Sequence, residues 1–156
     1  MRPSKTSGFD KTRSAGYLAN HMARLFAIAL AEEIRPLGLA PAQFMTLLEL
    51  WRTDGLTQKQ LVERLNVEQA TMANTIARME RDGLVSRRPH PDDGRAQSIH
   101  VTEKARALEA PATAAATRVN DSALKDFSQA ERDQFNALMA RAIDALKATD
   151  ARKKGP

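Results

Sequence analysis

No cysteine occurs anywhere in the 156 residues. That absence removes disulfides, thiolate catalysis, thiol redox sensing and sulfur-ligated zinc together. Long hydrophobic runs are missing too: the longest, Leu25 to Ala31, is far too short to cross a bilayer, so no membrane partner is expected. Behind Arg2 and Lys5 stand Thr, Ser, Gly and Asp instead of a hydrophobic signal core, which argues against export and for a cytoplasmic protein. The seven glycines are scattered and build no phosphate-cradling loop. His21, His90 and His100 have neither metal-ligand nor H-E-x-x-H spacing, and no serine sits in G-x-S-x-G. Asp92 and Asp93 are adjacent and read as a turn, not as a carboxylate pair sharing one site. The chain therefore offers no catalytic residue, no metal site and no cofactor site, and binding is the expected activity.

What is present is a folded composition, with 28% charged and 42% hydrophobic residues. The length suits one domain with helical extensions and supplies a real core without staples. The net charge of +5 invites a nucleic-acid reading, but the excess lies at the ends. Residues 1–24 carry +4 and residues 147–156 carry +3, leaving the middle slightly acidic. Basic tails are commonly just solvated, so local placement of charge has to carry the case.

Hydrophobic spacing makes most of the chain helical. Leu18, Met22, Leu25 and Ala29 form one stripe on a first helix, which Pro36 and Gly38 end. Pro41 opens a second helix with Phe44, Leu47, Leu48 and Trp51 inward, stopping at Asp54-Gly55. Thr57 and Gln60 make the capping box of a third, with Leu61 and Leu65 inward. After a turn at Asn66-Val67, a fourth helix runs from about Glu68 to Asp82, with Gly83 as its left-handed stop. Leu84 to Arg88 then looks extended, Pro89 to Gly94 is turn-forming, and Gln97, Ile99 and Val101 alternate with Ser98, His100 and Thr102. These segments form a hairpin with a long tip. Thr102 caps an Ala-rich helix expected to reach about Asp126 and to kink at Pro111. Ser128 and Glu131 cap a last helix carrying Phe135, Leu138, Met139, Ala142 and Leu146 on one side. The predicted fold is mainly α, a winged helix-turn-helix with a small β-hairpin.

The fourth helix carries the functional signal. Met72, Ile76 and Met79 recur at core spacing, and Gln69, Ala70, Thr71, Ala73, Asn74, Ala77 and Arg78 lie opposite. Small residues allow a helix to approach a major-groove floor. Gln and Asn pair with adenine, Arg with guanine or phosphate, and a Thr methyl touches a thymine methyl. An ordinary solvated helix is the plainer reading, but its face would hold more Glu and Lys. The hairpin adds Arg87, Arg88 and Arg95 around a tip of Asp92, Asp93 and Gly94, with Asp93 placed to bond Arg95 across the turn. Arg95 is then set for an adjacent minor groove, where negative potential attracts guanidinium.

The runs Leu56-Thr57-Gln58-Lys59-Gln60-Leu61, Met79 to Arg87, Pro91-Asp92-Asp93-Gly94-Arg95 and Ile99 to Lys104 together resemble MarR-type (multiple antibiotic resistance) regulators over about Gly16 to Leu146. Two departures stand out. Gly94 occupies a position that in such proteins often carries a further Arg, and Ala73-Asn74 replaces a frequent Thr and Arg, so an operator cannot be transferred from relatives. The resemblance implies a homodimeric, sequence-specific DNA-binding regulator, a repressor released by a small ligand such as an aromatic acid or an acyl thioester. It implies double-stranded DNA with a pseudo-palindromic operator as partner. Thr57, Gln58, Gln69, Ala70, Thr71, Ala73, Asn74, Arg78, Arg87, Arg88, Asp93 and Arg95 are the expected DNA-facing residues. Tyr17, His21 and Arg24, with Phe44 and Trp51, are the expected lining for a small aromatic anion, with plain core as the competing role for Phe44 and Trp51. The corresponding organisation is an arm and dimerisation helix over residues 1–35, a DNA-binding unit over 36–104 and C-terminal dimerisation helices with a basic tail over 105–156. The alternative is a winged-helix protein-interaction module with no DNA target.

Overall fold

The computed structural model describes residues 8–155; Arg2 and Lys5 lie outside the described residues. The chain divides after Val119 into two units. The first begins with a single 3-10 turn, Lys11–Arg13, and the helix α1, Ala15–Ile34. The Ser14 hydroxyl caps α1 by accepting the Tyr17 N–H at 3.3 Å. A turn over Arg35–Leu37 leads to α2, Pro41–Arg52, with Pro41 in the first position, where its missing N–H costs nothing. Gln43 accepts the Ala40 N–H at 3.0 Å and so caps α2 from inside.

Next come the strand β1, Leu56–Thr57, and the helices α3, Gln58–Leu65, and α4, Gln69–Arg81. The expected capping box closes on α3, with the Gln60 N–H on Thr57 Oγ1 at 3.2 Å and the Thr57 N–H on Gln60 Oε1 at 2.9 Å. Asn66 takes the left-handed conformation (φ 52°) that ends α3. The exit of α4 is a Schellman turn: the Gly83 N–H bonds the Glu80 carbonyl at 3.1 Å and the Leu84 N–H bonds that of Met79 at 2.8 Å. The hairpin follows as β2, Val85–Pro89, and β3, Gln97–Val101, in the register Val85↔Val101 to Pro89↔Gln97. The helix α5, Glu103–Ala123, completes the run. It stops three residues short of the predicted end and continues through Pro111 as one element.

Two expectations need correcting. First, the sheet has a third strand, in the order β1-β3-β2, because Leu56↔Ile99 and Thr57↔Ser98 pair. Two residues are too few to display strand alternation, and Thr57 reads only as a helix cap. Second, Leu48 is 37% exposed while Leu50 is fully buried. The inward arc of α2 runs through Gln43, Thr46, Leu47 and Leu50, and Leu48 falls beyond its edge next to Phe44. On α1 the apolar stripe lies open: Leu25 is 56% exposed and Leu18 and Ile28 are exposed too, with Ile34 the buried residue at the packed end.

The core gathers Phe44, Leu47, Leu50, Leu61, Ile76, Met79, Leu84, Ile99 and Val101 from helices and sheet, with Ala105, Ala112 and Ala115 letting α5 approach closely. Each large side chain moved from water to this interior contributes about 1.5–3 kcal/mol. The second unit holds α6, Gln129–Lys154, capped by the expected Ser128/Glu131 box. Phe127 packs edge-on to Phe135 at 5.6 Å, and Arg132 pairs with Asp121 at 2.9 Å. Leu138, Ile143 and Leu146 of α6 are exposed, Leu146 at 71%.

Candidate nucleic-acid interface

The inward row of α4 is Met72, Thr75, Ile76 and Met79, all buried. Thr75, absent from the predicted row, hides its hydroxyl by donating to the Thr71 carbonyl at 2.9 Å. Burial of this row leaves Gln69, Ala70, Thr71, Asn74, Ala77 and Arg78 exposed, with Ala73 half-buried at the margin. No acid lies on α4 between Gln69 and Arg78. Two side chains hold the exit of α4 in place. Gln43 of α2 donates to Asp82 Oδ2 at 2.9 Å, and Lys104 of α5 donates to the Asp82 carbonyl at 2.7 Å.

The tip of the hairpin is ordered by its own short side chains. Asp93 Oδ1 accepts the Arg95 backbone N–H at 2.9 Å, and His90 Nδ1 accepts the Asp92 N–H at 3.1 Å. Asp93 therefore bonds the backbone of Arg95, and no ion pair engages the Arg95 guanidinium among the described residues. Arg88 is likewise exposed. Arg87 differs: its Nε lies 3.4 Å from Glu80 Oε1, so it straps the wing to α4 and neutralises that helix's exposed acid.

Between the start of α3 and the wing lies an open hollow of about 560 Å³. Thr57 and Gln58 line one side, and Arg87, Asp93 and Arg95 the other. Lys59, His90 and Gln97 also line it, and none of the three carried a signal in the sequence. Lys59 meets the wing only because β1 pairs with β3 and draws the first turn of α3 beside the hairpin. Lys59, Arg87 and Arg95 facing one hollow around Asp93 make a saddle suited to a polyanion's backbone.

The remaining expected residues lie elsewhere. Tyr17, His21 and Arg24 are exposed on α1, Tyr17 edge-on to His21 at 6.0 Å with Lys11 Nζ 5.5 Å from the tyrosine ring. Phe44 is only 3% exposed, and Trp51 stands edge-on to it at 6.2 Å while donating its indole N–H to the Ala105 carbonyl at 3.1 Å. Both rings serve the core, so in this conformation Phe44 has no surface to offer a ligand. Among the described residues no cluster of three or more His, Asp or Glu is placed to hold a metal, and no helix is long and apolar enough to cross a membrane.

Known proteins share both the sequence pattern and the architecture. The pattern of the MarR family matches residues 39–96. An uncharacterised HTH-type transcriptional regulator of Bacillus subtilis, YwoH, is 31% identical over 119 residues, 76% of this chain and 86% of that protein. The crystal structure of MarR superposes with a TM-score of 0.82 at 24% identity, covering 94% of this chain and 99% of the other. A probable transcriptional regulator from Pseudomonas aeruginosa reaches 0.78 at 28% identity, over 85% of this chain and 99% of its own. Helix-turn-helix, wing and flanking helices thus recur in the same order, and the chain belongs to the MarR family of winged-helix transcriptional regulators.

Proposed function

We propose that the protein is a homodimeric repressor that reads a pseudo-palindromic operator through α4 and the wing. One observation carries this reading: between Gln69 and Arg78 α4 presents small, amide and hydroxyl side chains without an acid, flanked by Arg78, Arg88, Arg95 and Lys59, none of which pairs with an acid among the described residues. Gln69, Ala70, Thr71, Ala73 and Asn74 meet base edges in the major groove, and Arg95 enters the neighbouring minor groove. Thr57, Gln58, Lys59, Arg78 and Arg88 hold phosphates, with Asp93 shaping the turn and Arg87 bracing it.

A second copy of the chain is the natural cover for the exposed rows Leu18, Leu25 and Ile28 on α1 and Leu138, Ile143 and Leu146 on α6. Residues 1–35 and 105–156 then form the dimerisation lobe around the DNA-binding unit of residues 36–104. Two-fold symmetry places the two α4 helices on half-sites one helical turn apart, about 10 bp. Release by a small aromatic anion fits the exposed Tyr17, His21 and Arg24. It is supported by two fold relatives: PcaV of Streptomyces coelicolor, solved with its natural ligand (TM-score 0.77, 23% identity, 90% of this chain and 99% of that one), and CouR of Rhodococcus jostii RHA1, solved with p-coumaroyl-CoA (0.74, 18%, 83% and 91%). Such a ligand acts by preferring one spacing of the two α4 helices.

Selection of bound duplexes from a random pool, followed by a salt titration, tests the reading. A two-fold-symmetric motif whose affinity falls steeply with salt is expected, because phosphate contacts release counterions. A flat salt response with no enriched motif would instead identify a protein-interaction module. Calorimetry with benzoates and hydroxycinnamates tests the effector, and an absence of heat sinks that part alone.

A further inference from the structure

At the base of the wing lies a polar cluster that none of the DNA contacts uses. Asp54, in the turn after α2, accepts the Val101 N–H on Oδ1 at 2.9 Å, and its Oδ2 faces His100 Nδ1 at 3.1 Å. The other ring nitrogen, Nε2, is 2.8 Å from Ser98 Oγ, which lies 3.3 Å from the Arg88 carbonyl on β2. Arg106 of α5 reaches the same Asp54 oxygen at 3.5 Å and Glu103 at 3.9 Å. Across the ladder His100 faces Ser86, which is uncharged. The ring also covers Gly55, where φ is +78° and a Cβ would come within 3.0 Å of His100 Cε1. The turn and both wing strands therefore meet at one imidazole, and α5 joins them through Asp54.

The order Ser98, His100, Asp54 has the contacts of a nucleophilic triad. Ser98, however, is buried in the sheet between the imidazole and a backbone carbonyl, so the trio serves as a brace. Its protons can be counted. A hydroxyl has one proton, and a neutral imidazole has one N–H. With the Nδ1 proton on Asp54, a neutral ring takes the Ser98 proton on Nε2 and leaves the Arg88 carbonyl without it. An imidazolium donates from Nε2 to Ser98, whose own proton then reaches Arg88, so all the contacts form together and two of them are charge-assisted. The β1–β3 pairing spans two residues only, so this cluster shares the hold on the wing with the Gly55 N–H on the Ile99 carbonyl at 3.0 Å and the common core of Leu56, Leu61 and Ile99.

We propose that His100 is a proton-dependent positioning residue: held by Asp54, it sets the wing against the start of α3, so that duplex binding tightens when the ring is protonated. This rests on the wing being a DNA contact. The test uses the full chain carrying His21→Gln and His90→Gln, which leaves His100 as the one imidazole. The probe is mixed-sequence duplex DNA at constant ionic strength. Affinity is expected to fall about fivefold between about pH 6 and about pH 8, the range in which histidines change charge. Adding His100→Gln or Ser98→Ala, the milder change, flattens that profile. An unchanged slope in both variants, or equal weakening at both pH values, reduces His100 to a packing residue and overturns the proposal. Without DNA, ring-nitrogen resonances and amide exchange over β2 and β3 give a second measurement. Wing protection that tracks ring protonation while duplex binding is absent leaves the positioning role standing and removes the DNA reading. Protection indifferent to ring charge removes the positioning role itself.

Discussion

On the function proposed above, Asn74 and Arg95 address different parts of a duplex, so their substitutions should separate. Asn74 projects an exposed amide from α4, with a donor and an acceptor matched to an adenine edge. Asn74→Ala is expected to change base preference at one operator position by about 1–3 kcal/mol while leaving the salt slope intact. Arg95→Ala is expected to weaken all duplexes alike and to reduce the salt slope by about 1. Binding isotherms on an operator, on single-base variants and on unrelated DNA read both effects, and an unchanged salt slope in Arg95→Ala would contradict its assignment. Gln43 has a structural task instead. Buried, it satisfies the Ala40 N–H and the Asp82 carboxylate at once. Gln43→Ala removes both bonds, and because Ala40 and Asp82 are exposed and can turn to water, urea denaturation should show a loss of about 0.5–1.5 kcal/mol. The polar pattern around Asn74 was legible in the sequence because exposed and buried residues of α4 alternate at helical spacing. Gln43 was not, because its partner is 39 residues away.

Among the elements, α6 and the exit of α4 make separate predictions. The Glu131 carboxyl is held below the usual range, first by the Ser128 backbone N–H and then by the Ser128 side chain. Its lowered value means that this contribution to α6 is present above the ordinary glutamate range, about 4.3, and is lost as pH falls through the folded value. Protection of the amides in the first turn of α6, measured against their intrinsic exchange rates, should therefore fall on acidification, and in Glu131→Gln that acid response should be absent. At the exit of α4, Gly83 has φ +73°. Gly83→Ala puts a Cβ into the left-handed region at a cost of about 1–2 kcal/mol, readable as a lower Tm. Both caps were visible in the sequence, because a cap is decided by residues three or four apart. Strand β1 and the gap lined by Lys59 were not, because two residues show no period and their partners arrive from beyond α4.

For the whole molecule the test is association. The apolar rows of α1 and α6 remain open to solvent in one chain, and a charge placed among them should block a second copy. On the proposed dimer, Leu25→Asp is expected to shift sedimentation to monomer and to reduce operator affinity by far more than it reduces affinity for a single half-site. A variant that stays dimeric would mean that α1 does not form that interface. The stripe of Leu18 and Leu25 was legible in the sequence, but its cover was not. Helical spacing reports which residues share a face, not what covers it.

Cap residues, turn residues and hydrophobic spacing were enough to establish the helix-turn-helix, the hairpin and the polar side of α4, because these depend on bonds that close within one helical turn or across one tight turn. Tertiary structure decided the rest: Leu50 in place of Leu48 at the core, Arg87 committed to Glu80, Lys59 brought to the wing, and His100 set between Asp54 and Ser98. Most of those outcomes depend on which distant segments meet, and a local pattern holds no information about a partner some 40 residues away.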